Sequence, residues 1–128
     1  MPEPVTAPRR VRAVRGAVQI DVDEREEILS ATRELVTEVI SRNGLHLDDF
    51  ISVIFTSTAD LSAEFPAVAA RELGMGDVPL MCARELEIAG SMPRVIRLMA
   101  HVETGLARAE VQHVYLRGAV ALRRDIAQ

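Results

Sequence analysis

The sequence predicts one α/β domain built around a mixed sheet, and three patterns support this class. Apolar residues recur at helical spacing over residues 23–43, which is typical of an amphipathic helix. Apolar and polar residues alternate strictly over 95–103, which is typical of a strand with one covered face. Shorter runs of both kinds complete the order β-α-β-α-β-β-α-β. A chain of 128 residues has the length of one domain and can bury a core without disulfides.

The chain starts with a predicted flexible lead-in, residues 1–10, which holds three prolines and two adjacent arginines. We assign residues 11–128 to a single domain. Residues 11–20 are rich in valine and predict the first strand. Alternation along this strand puts one charged side chain on a face with small apolar ones, namely Val11, Ala13, Arg15 and Ala17.

The helix predicted over 23–43 has clear start and stop signals. Asp23 followed by Glu26 resembles a capping box, and Gly44 is a typical residue for the end of a helix. Glu38 and Arg42 form an i,i+4 pair in the favourable order. The face expected to pack on the sheet consists of Ile28, Leu29, Thr32, Leu35, Val36, Val39 and Ile40.

The rest of the chain predicts a second helix and four further strands. Residues 50–57 predict a buried strand, and a helix then begins near Pro66 and ends at Gly74. The remaining strands are expected at 78–83, 95–103 and 112–116, with a short helical stretch at 107–111. Over 95–103, alternation directs Ile96, Leu98, Ala100 and Val102 to one face and Arg97, Met99, His101 and Glu103 to the other.

The composition excludes several classes of function. All 15 basic residues are arginine, so no side chain can form a Schiff base and no phosphate-loop lysine exists. Tryptophan is absent and the four aromatic residues are scattered, which disfavours a base-stacking surface. The net charge of −4 also disfavours binding to nucleic acid.

Metal, redox and membrane signals are equally weak. Cys82 is the only cysteine, which excludes an intrachain disulfide, and the three histidines lack metal-ligand spacing. The motif Gly74-Met75-Gly76 follows a helix rather than a strand, so we interpret it as a helix cap and turn. With no secretory signal and no apolar run of about 18 residues, we expect a cytoplasmic protein that needs no cofactor, metal or membrane.

Five polar residues stand out against this background. Arg15 and Arg97 lie inside predicted strands, Arg71 lies late in the second helix, and Glu85 follows the third strand. Tyr115, the only tyrosine, lies in the last strand. Arginine is seldom buried without a partner, so these residues are either structural ion pairs or a pocket for a dianionic ligand.

Several ordered motifs identify a family that this chain resembles. VRAVRGA at 11–17, FPAVAAREL at 65–73, VPLMCARE at 78–85 and HVYLRGAVALR at 113–123 are similar to segments of the monofunctional, AroH-type chorismate mutases. The resemblance covers residues 11 to 125. It implies conversion of chorismate to prephenate in phenylalanine and tyrosine biosynthesis, without a cofactor. It also implies a homotrimer with a central barrel-like sheet, helices outside, and active sites between subunits.

The resemblance assigns roles to residues of this chain. Arg97 would contact the ether oxygen and a carboxylate, and Glu85 would accept a hydrogen bond from the ring hydroxyl, with Cys82 close by. Arg15 and Tyr115 would bind carboxylates of the substrate. The adjacent subunit would contribute Phe65, Ala67 and Arg71, and Leu122 would help to close the pocket.

Other readings of the same residues remain open. A non-catalytic trimeric module that binds a carboxylate metabolite would use the same arginines, although it would gain little from Glu85. Trimeric enamine and imine deaminases also place arginines between subunits, but their motifs are absent here. A purely structural trimer would have no reason to combine Arg15, Glu85, Arg97 and Tyr115.

Overall fold

The computed structural model describes residues 8–122 and confirms the predicted order of elements. Its strands are β1 (Arg10–Gln19), β2 (Phe50–Ser57), β3 (Leu80–Arg84), β4 (Val95–Thr104) and β5 (Val114–Leu116). Its α-helices are α1 (Arg25–Arg42) and α2 (Ala67–Glu72), and short 3₁₀ helices lie at Leu47–Asp49, Arg108–Glu110 and Arg117–Leu122. Most of the predicted lead-in lies outside the described residues, and β1 already begins at Arg10.

The five strands form one mixed sheet in the order β3-β2-β4-β1-β5. Strand β4 pairs antiparallel with β1 and β2, whereas β5 runs parallel to β1 and β3 runs parallel to β2. The mixed sheet predicted from the sequence is therefore confirmed. The β1–β4 ladder is the long central one, with ten register pairs from Arg10↔Thr104 to Gln19↔Val95.

The two α-helices cover one face of the sheet, whereas the other face is covered only at one end, by the 3₁₀ helix Arg117–Leu122. The covered face buries alternate residues of β1 and β4 against α1 and α2, among them Val14, Val18, Ile96, Leu98 and Ala100. The opposite face, here called the open face, carries Val11, Ala13, Arg15, Ile54, Thr56, Arg97, Met99 and His101. The predicted alternation of β1 and β4 is thus confirmed.

Gly16 allows the helix layer to approach β1 closely. A Cβ atom at this position would lie 3.0 Å from Leu35 Cδ1 and 3.3 Å from the Val114 carbonyl oxygen. A larger residue at this position would require the Leu35 side chain and the Val114 carbonyl to shift by a few tenths of an ångström.

The ends of α1 confirm two predictions and correct one. Gly44 has φ +57° after the helix, and the Arg42 guanidinium lies 2.8 Å from Glu38 Oε1. The predicted capping box is wrong, because the N-cap is Glu24 and makes no side-chain cap hydrogen bond. The carboxylate of Asp23 instead accepts backbone hydrogen bonds from Ser62 and Ala63, both at 3.0 Å. The contact of Asp23 with this distant loop therefore replaces the expected cap of its own helix.

Three strand predictions need adjustment. Strand β2 is half-buried rather than buried, since Ile51 and Ile54 lie on the uncovered side with exposures of 39% and 37%. Strand β3 begins at Leu80, two residues later than predicted. Strand β5 begins at Val114, also two residues late, because the Asn43 side chain takes both backbone hydrogen bonds of Gln112 at 2.8 and 2.9 Å.

The second helix ends as predicted. Pro66 is its N-cap, and Gly74 has φ +105° just after its C-cap. Met75 is fully buried between the two glycines, so the GxG motif is a helix end and turn. Among residues 8–122, no helix is long and apolar enough to cross a bilayer.

Candidate active site

Four of the predicted site residues line one cavity of about 260 Å³ on the open face: Arg15, Glu85, Arg97 and Tyr115. The sheet register brings them together, since Ala17 of β1 lies opposite both Arg97 of β4 and Tyr115 of β5. Arg15 lies two residues earlier on the same face. Ala17 itself lies between Arg97 and Tyr115 in the register but is buried beside Tyr115 and does not line the cavity. We call these four residues the open-face group.

Arg97 and Glu85 form an ion pair inside this cavity. Arg97 Nε lies 3.1 Å from Glu85 Oε1, and the two side chains are 39% and 25% exposed. The contact lacks hydrogen-bond geometry, so this buried Nε has no hydrogen-bond partner among the described residues. Glu85 is held in place through its backbone N–H, which donates to the Ser57 carbonyl at 3.0 Å. Both charged groups therefore keep hydrogen-bonding capacity for a ligand.

The other two members of the group also lack side-chain partners within residues 8–122. No carboxylate lies within ion-pair distance of the Arg15 guanidinium, and no hydrogen bond reaches the Tyr115 hydroxyl. The backbone N–H of Arg15 donates to His113 Nδ1 at 2.9 Å. Two arginines against one glutamate leave a net positive charge in the pocket, which favours an anionic ligand.

A second group of predicted residues lies on the other side of the sheet. Cys82 and Phe65 line a separate cavity of about 400 Å³. Cys82 pairs in register with Phe55, which pairs with Leu98, so Cys82 lies on the helix-covered face. On α2, Ala67 is buried and Arg71 is exposed. We call Phe65, Ala67, Arg71 and Cys82 the helix-side group.

Glu64 fixes the start of α2 beside this cavity. Its pKa is lowered, first because the Phe65 backbone N–H donates to it at 2.9 Å, and then because the Arg25 guanidinium lies 2.8 Å away. The more distant charge of Arg71 lowers the pKa further. The carboxylate thus remains ionised and holds Phe65, a residue that is 65% exposed, at the rim of the cavity.

Leu122 lies near the open-face group. It packs against a small buried cluster that contains Ala17, Tyr115 and Ala119. The 3₁₀ helix that carries it begins at Arg117, whose guanidinium bridges Glu27 and Glu34 of α1 at 3.0 and 3.1 Å. Partial burial lowers the pKa of Arg117, but these two carboxylates outweigh it and raise the pKa above its ordinary value.

Sequence reasoning missed several residues of the open-face cavity. Gly16, Ile54, Thr56 and Met99 also line it, and the Thr56 hydroxyl is buried without a hydrogen bond among the described residues. The alternation along β4 puts Met99 on the same face as Arg97, so the sequence could have predicted Met99 as a lining residue. Thr56 gave no such signal, because only the β2–β4 register sets it opposite Arg97.

The chain is similar to known proteins over most of its length. Residues 11–126 match the family model described as chorismate mutase type I. The chain is 48% identical over 117 residues to chorismate mutase AroH of Thermus thermophilus, and this match covers 91% of this chain and 96% of that protein. It is 38% identical over 117 residues to chorismate mutase AroH of Bacillus subtilis strain 168, and this match covers 91% of this chain and 92% of that protein. A solved chorismate mutase from Clostridium thermocellum, Cth-682, matches with a TM-score of 0.85 at 44% identity, over 86% of this chain and 98% of that one.

The fold and the pocket define a mixed α/β protein with an arginine-lined site for a small anionic ligand. The similarity to known proteins, which extends over nearly the whole chain, identifies the family within this class. This chain belongs to the type I chorismate mutase family, and it is an isomerase of that kind. The resemblance drawn from the sequence motifs is confirmed.

Proposed function

We propose that this protein converts chorismate to prephenate by a concerted Claisen rearrangement, in phenylalanine and tyrosine biosynthesis. The observation that carries the mechanism is the Arg97–Glu85 pair, which faces a cavity shared with Arg15 and Tyr115. We further propose that the protein acts in the cytoplasm. Its family membership agrees with the absence of lysine, because this rearrangement needs neither an amine nor a nucleophile.

The reaction gives the protein two tasks. One C–O ether bond breaks while a C–C bond forms within the same molecule, and no proton is transferred. The site must therefore hold a flexible dianion in its compact reactive conformer. It must also stabilise the negative charge that develops on the ether oxygen.

The open-face group can divide these tasks. In this proposal the Arg97 guanidinium donates to the ether oxygen, where charge appears only in the transition state. Glu85 accepts a hydrogen bond from the ring hydroxyl. Arg15 and Tyr115 bind substrate carboxylates, which carry the same charge before and during the reaction, so they mainly strengthen binding.

The separation of the two groups supports an active site between subunits. Cys82 and Arg97 lie on opposite faces of the sheet, so one copy of the chain does not present both groups to the same ligand. In a closed ring, the open-face group of one subunit can face the helix-side group of the next. Association would also cover apolar side chains that are exposed in the single chain, including Val11, Ile54, Phe65 and Met81.

The first test is turnover by the wild-type protein. We expect it to remove the ultraviolet absorbance of chorismate far faster than the spontaneous reaction, with prephenate as the product. The protein has no tryptophan, which keeps its own absorbance low. If a folded, trimeric sample shows no loss above the spontaneous rate, the alternative applies, namely a non-catalytic trimeric module that binds a carboxylate metabolite.

Mixing two inactive variants tests the shared site. Arg97→Ala damages the open-face group, and Arg71→Glu places a repelling charge in the helix-side group. After co-refolding at equal amounts, a site is intact when its open-face group comes from an Arg71→Glu chain and its helix-side group comes from an Arg97→Ala chain. Random assembly then restores about a quarter of the wild-type sites.

The matched control mixes Arg97→Ala with Glu85→Ala. Both changes damage the same group, so every site keeps one defect and activity should not recover. Recovery in this control, or none in the first mixture when size-exclusion chromatography shows mixed trimers, would contradict a site shared between neighbouring subunits.

A further inference from the structure

We propose that His113 is a positioning residue of this site, which sets Arg15 and Tyr115 relative to each other. This inference rests on the proposed function, in which those two residues bind the substrate carboxylates. The contact that carries it is the hydrogen bond from the Arg15 backbone N–H to His113 Nδ1 at 2.9 Å. An imidazole nitrogen that accepts a hydrogen bond must be unprotonated, so the ring carries its proton on Nε2.

The hydrogen bond between Arg15 and His113 lies at the end of the backbone pairing between β1 and β5. The parallel pairing of β1 and β5 has only three register pairs, from Gly16↔Val114 to Val18↔Leu116. Arg15 lies one residue before the first of these pairs. The His113 side chain therefore takes the place of a backbone carbonyl and extends the ladder to the residue that carries the guanidinium.

Strand β5 depends on this bond more than β1 does. The ten register pairs with β4 hold β1 in place, whereas β5 is a three-residue edge strand. Tyr115 lies two residues after His113 and therefore on the same face. This hydrogen bond thus adds a side-chain link to the three register pairs that join the strand carrying Arg15 to the short strand carrying Tyr115.

The segment before β5 has a separate anchor, which keeps the proposal testable. The Asn43 side chain binds both backbone groups of Gln112. Removal of the His113 imidazole should therefore loosen β5 without detaching it from the end of α1. We expect an effect on the spacing of the two carboxylate-binding groups rather than a loss of the fold.

Three variants separate the role of Nδ1 from that of size and polarity. In His113→Asn, the amide oxygen of the shorter side chain can occupy the place of Nδ1 and accept the same hydrogen bond. His113→Leu removes the acceptor, and His113→Gln remains polar but places its oxygen farther along the side chain. In the Leu and Gln variants we expect the KM for chorismate to rise about tenfold, the size of one hydrogen bond, with kcat nearly unchanged. The Asn variant should remain close to wild type.

Two readouts need no substrate and so keep this inference distinct from the proposed function. The Arg15 amide should exchange its hydrogen faster in the Leu and Gln variants but not in the Asn variant. Tyr115 is the only tyrosine in a chain without tryptophan, so its fluorescence anisotropy reports on β5 alone and should fall in the same two variants. If the wild-type protein fails to convert chorismate, the proposed function is wrong, but amide exchange and anisotropy still test whether the Arg15–His113 hydrogen bond holds β5 in place. Unchanged Arg15 exchange in both Leu and Gln variants, or a loss confined to kcat, would overturn the role of His113.

Discussion

Replacement of Arg97 by alanine should lower kcat by about 10²–10³-fold, with a much smaller change in KM. Removal of a donor that acts on charge developing in the transition state costs about 3–4 kcal/mol, which corresponds to this factor. Arg97 is placed for that role because it lines the cavity with a side chain that is 39% exposed, and Glu85 lies 3.1 Å from its Nε. Steady-state kinetics on chorismate give the split between kcat and KM.

The lysine variant tests the geometry of the guanidinium. Arg97→Lys keeps the positive charge but replaces a planar, two-pronged donor with a point charge, so we expect it to remain well below wild type. Arg33→Ala is a suitable control, because it removes an exposed arginine of α1 that pairs only weakly with Glu72 at 3.5 Å. A raised KM at near-normal turnover in Arg97→Ala, or full activity in Arg97→Lys, would contradict the assigned role.

Glu85→Gln should be the second most damaging change, with a fall in kcat of about 10²-fold. Glutamine keeps the size of the side chain but loses the charge, so it accepts a weaker hydrogen bond from the ring hydroxyl. It also removes the negative charge 3.1 Å from Arg97 Nε, which leaves that guanidinium without its partner in the cavity. Both effects act on the same reacting region.

The neighbouring acid Glu87 provides the control for this variant. Glu87→Gln makes the same chemical change at an exposed position two residues later in the chain, and its kinetics should match wild type. Chorismate turnover and a thermal melt on both variants separate catalysis from stability. Wild-type kcat in a folded Glu85→Gln protein would contradict the catalytic role assigned to the Glu85 carboxylate.

The sequence was sufficient to predict the element order and the covered face of the sheet. Periodicity is a local property, so the helix that contains Leu35 and the alternation through Leu98 could be found without knowing their contacts. The residue types alone were less decisive about chemistry. Arg15 and Arg97 inside predicted strands left two interpretations open, structural ion pairs or a pocket for a dianionic ligand, and the resemblance to a known family favoured the second.

Only the tertiary structure decided where the site residues lie relative to one another. Register places Ala17 between Arg97 and Tyr115, and it places Cys82 on the opposite face from Arg97. Neither fact follows from spacing along the chain, because pairing between strands joins residues that are far apart in sequence.

Contacts between distant segments likewise set the ends of elements. Asp23 binds the loop at Ser62 instead of capping its own helix, and Asn43 takes the hydrogen bonds that would have started β5 at Gln112. A polar side chain can satisfy local or distant backbone groups, and the sequence pattern alone does not show which partner is near. Periodicity thus determined the fold class, whereas strand register determined which residues meet in the cavity and long-range hydrogen bonds determined where elements end.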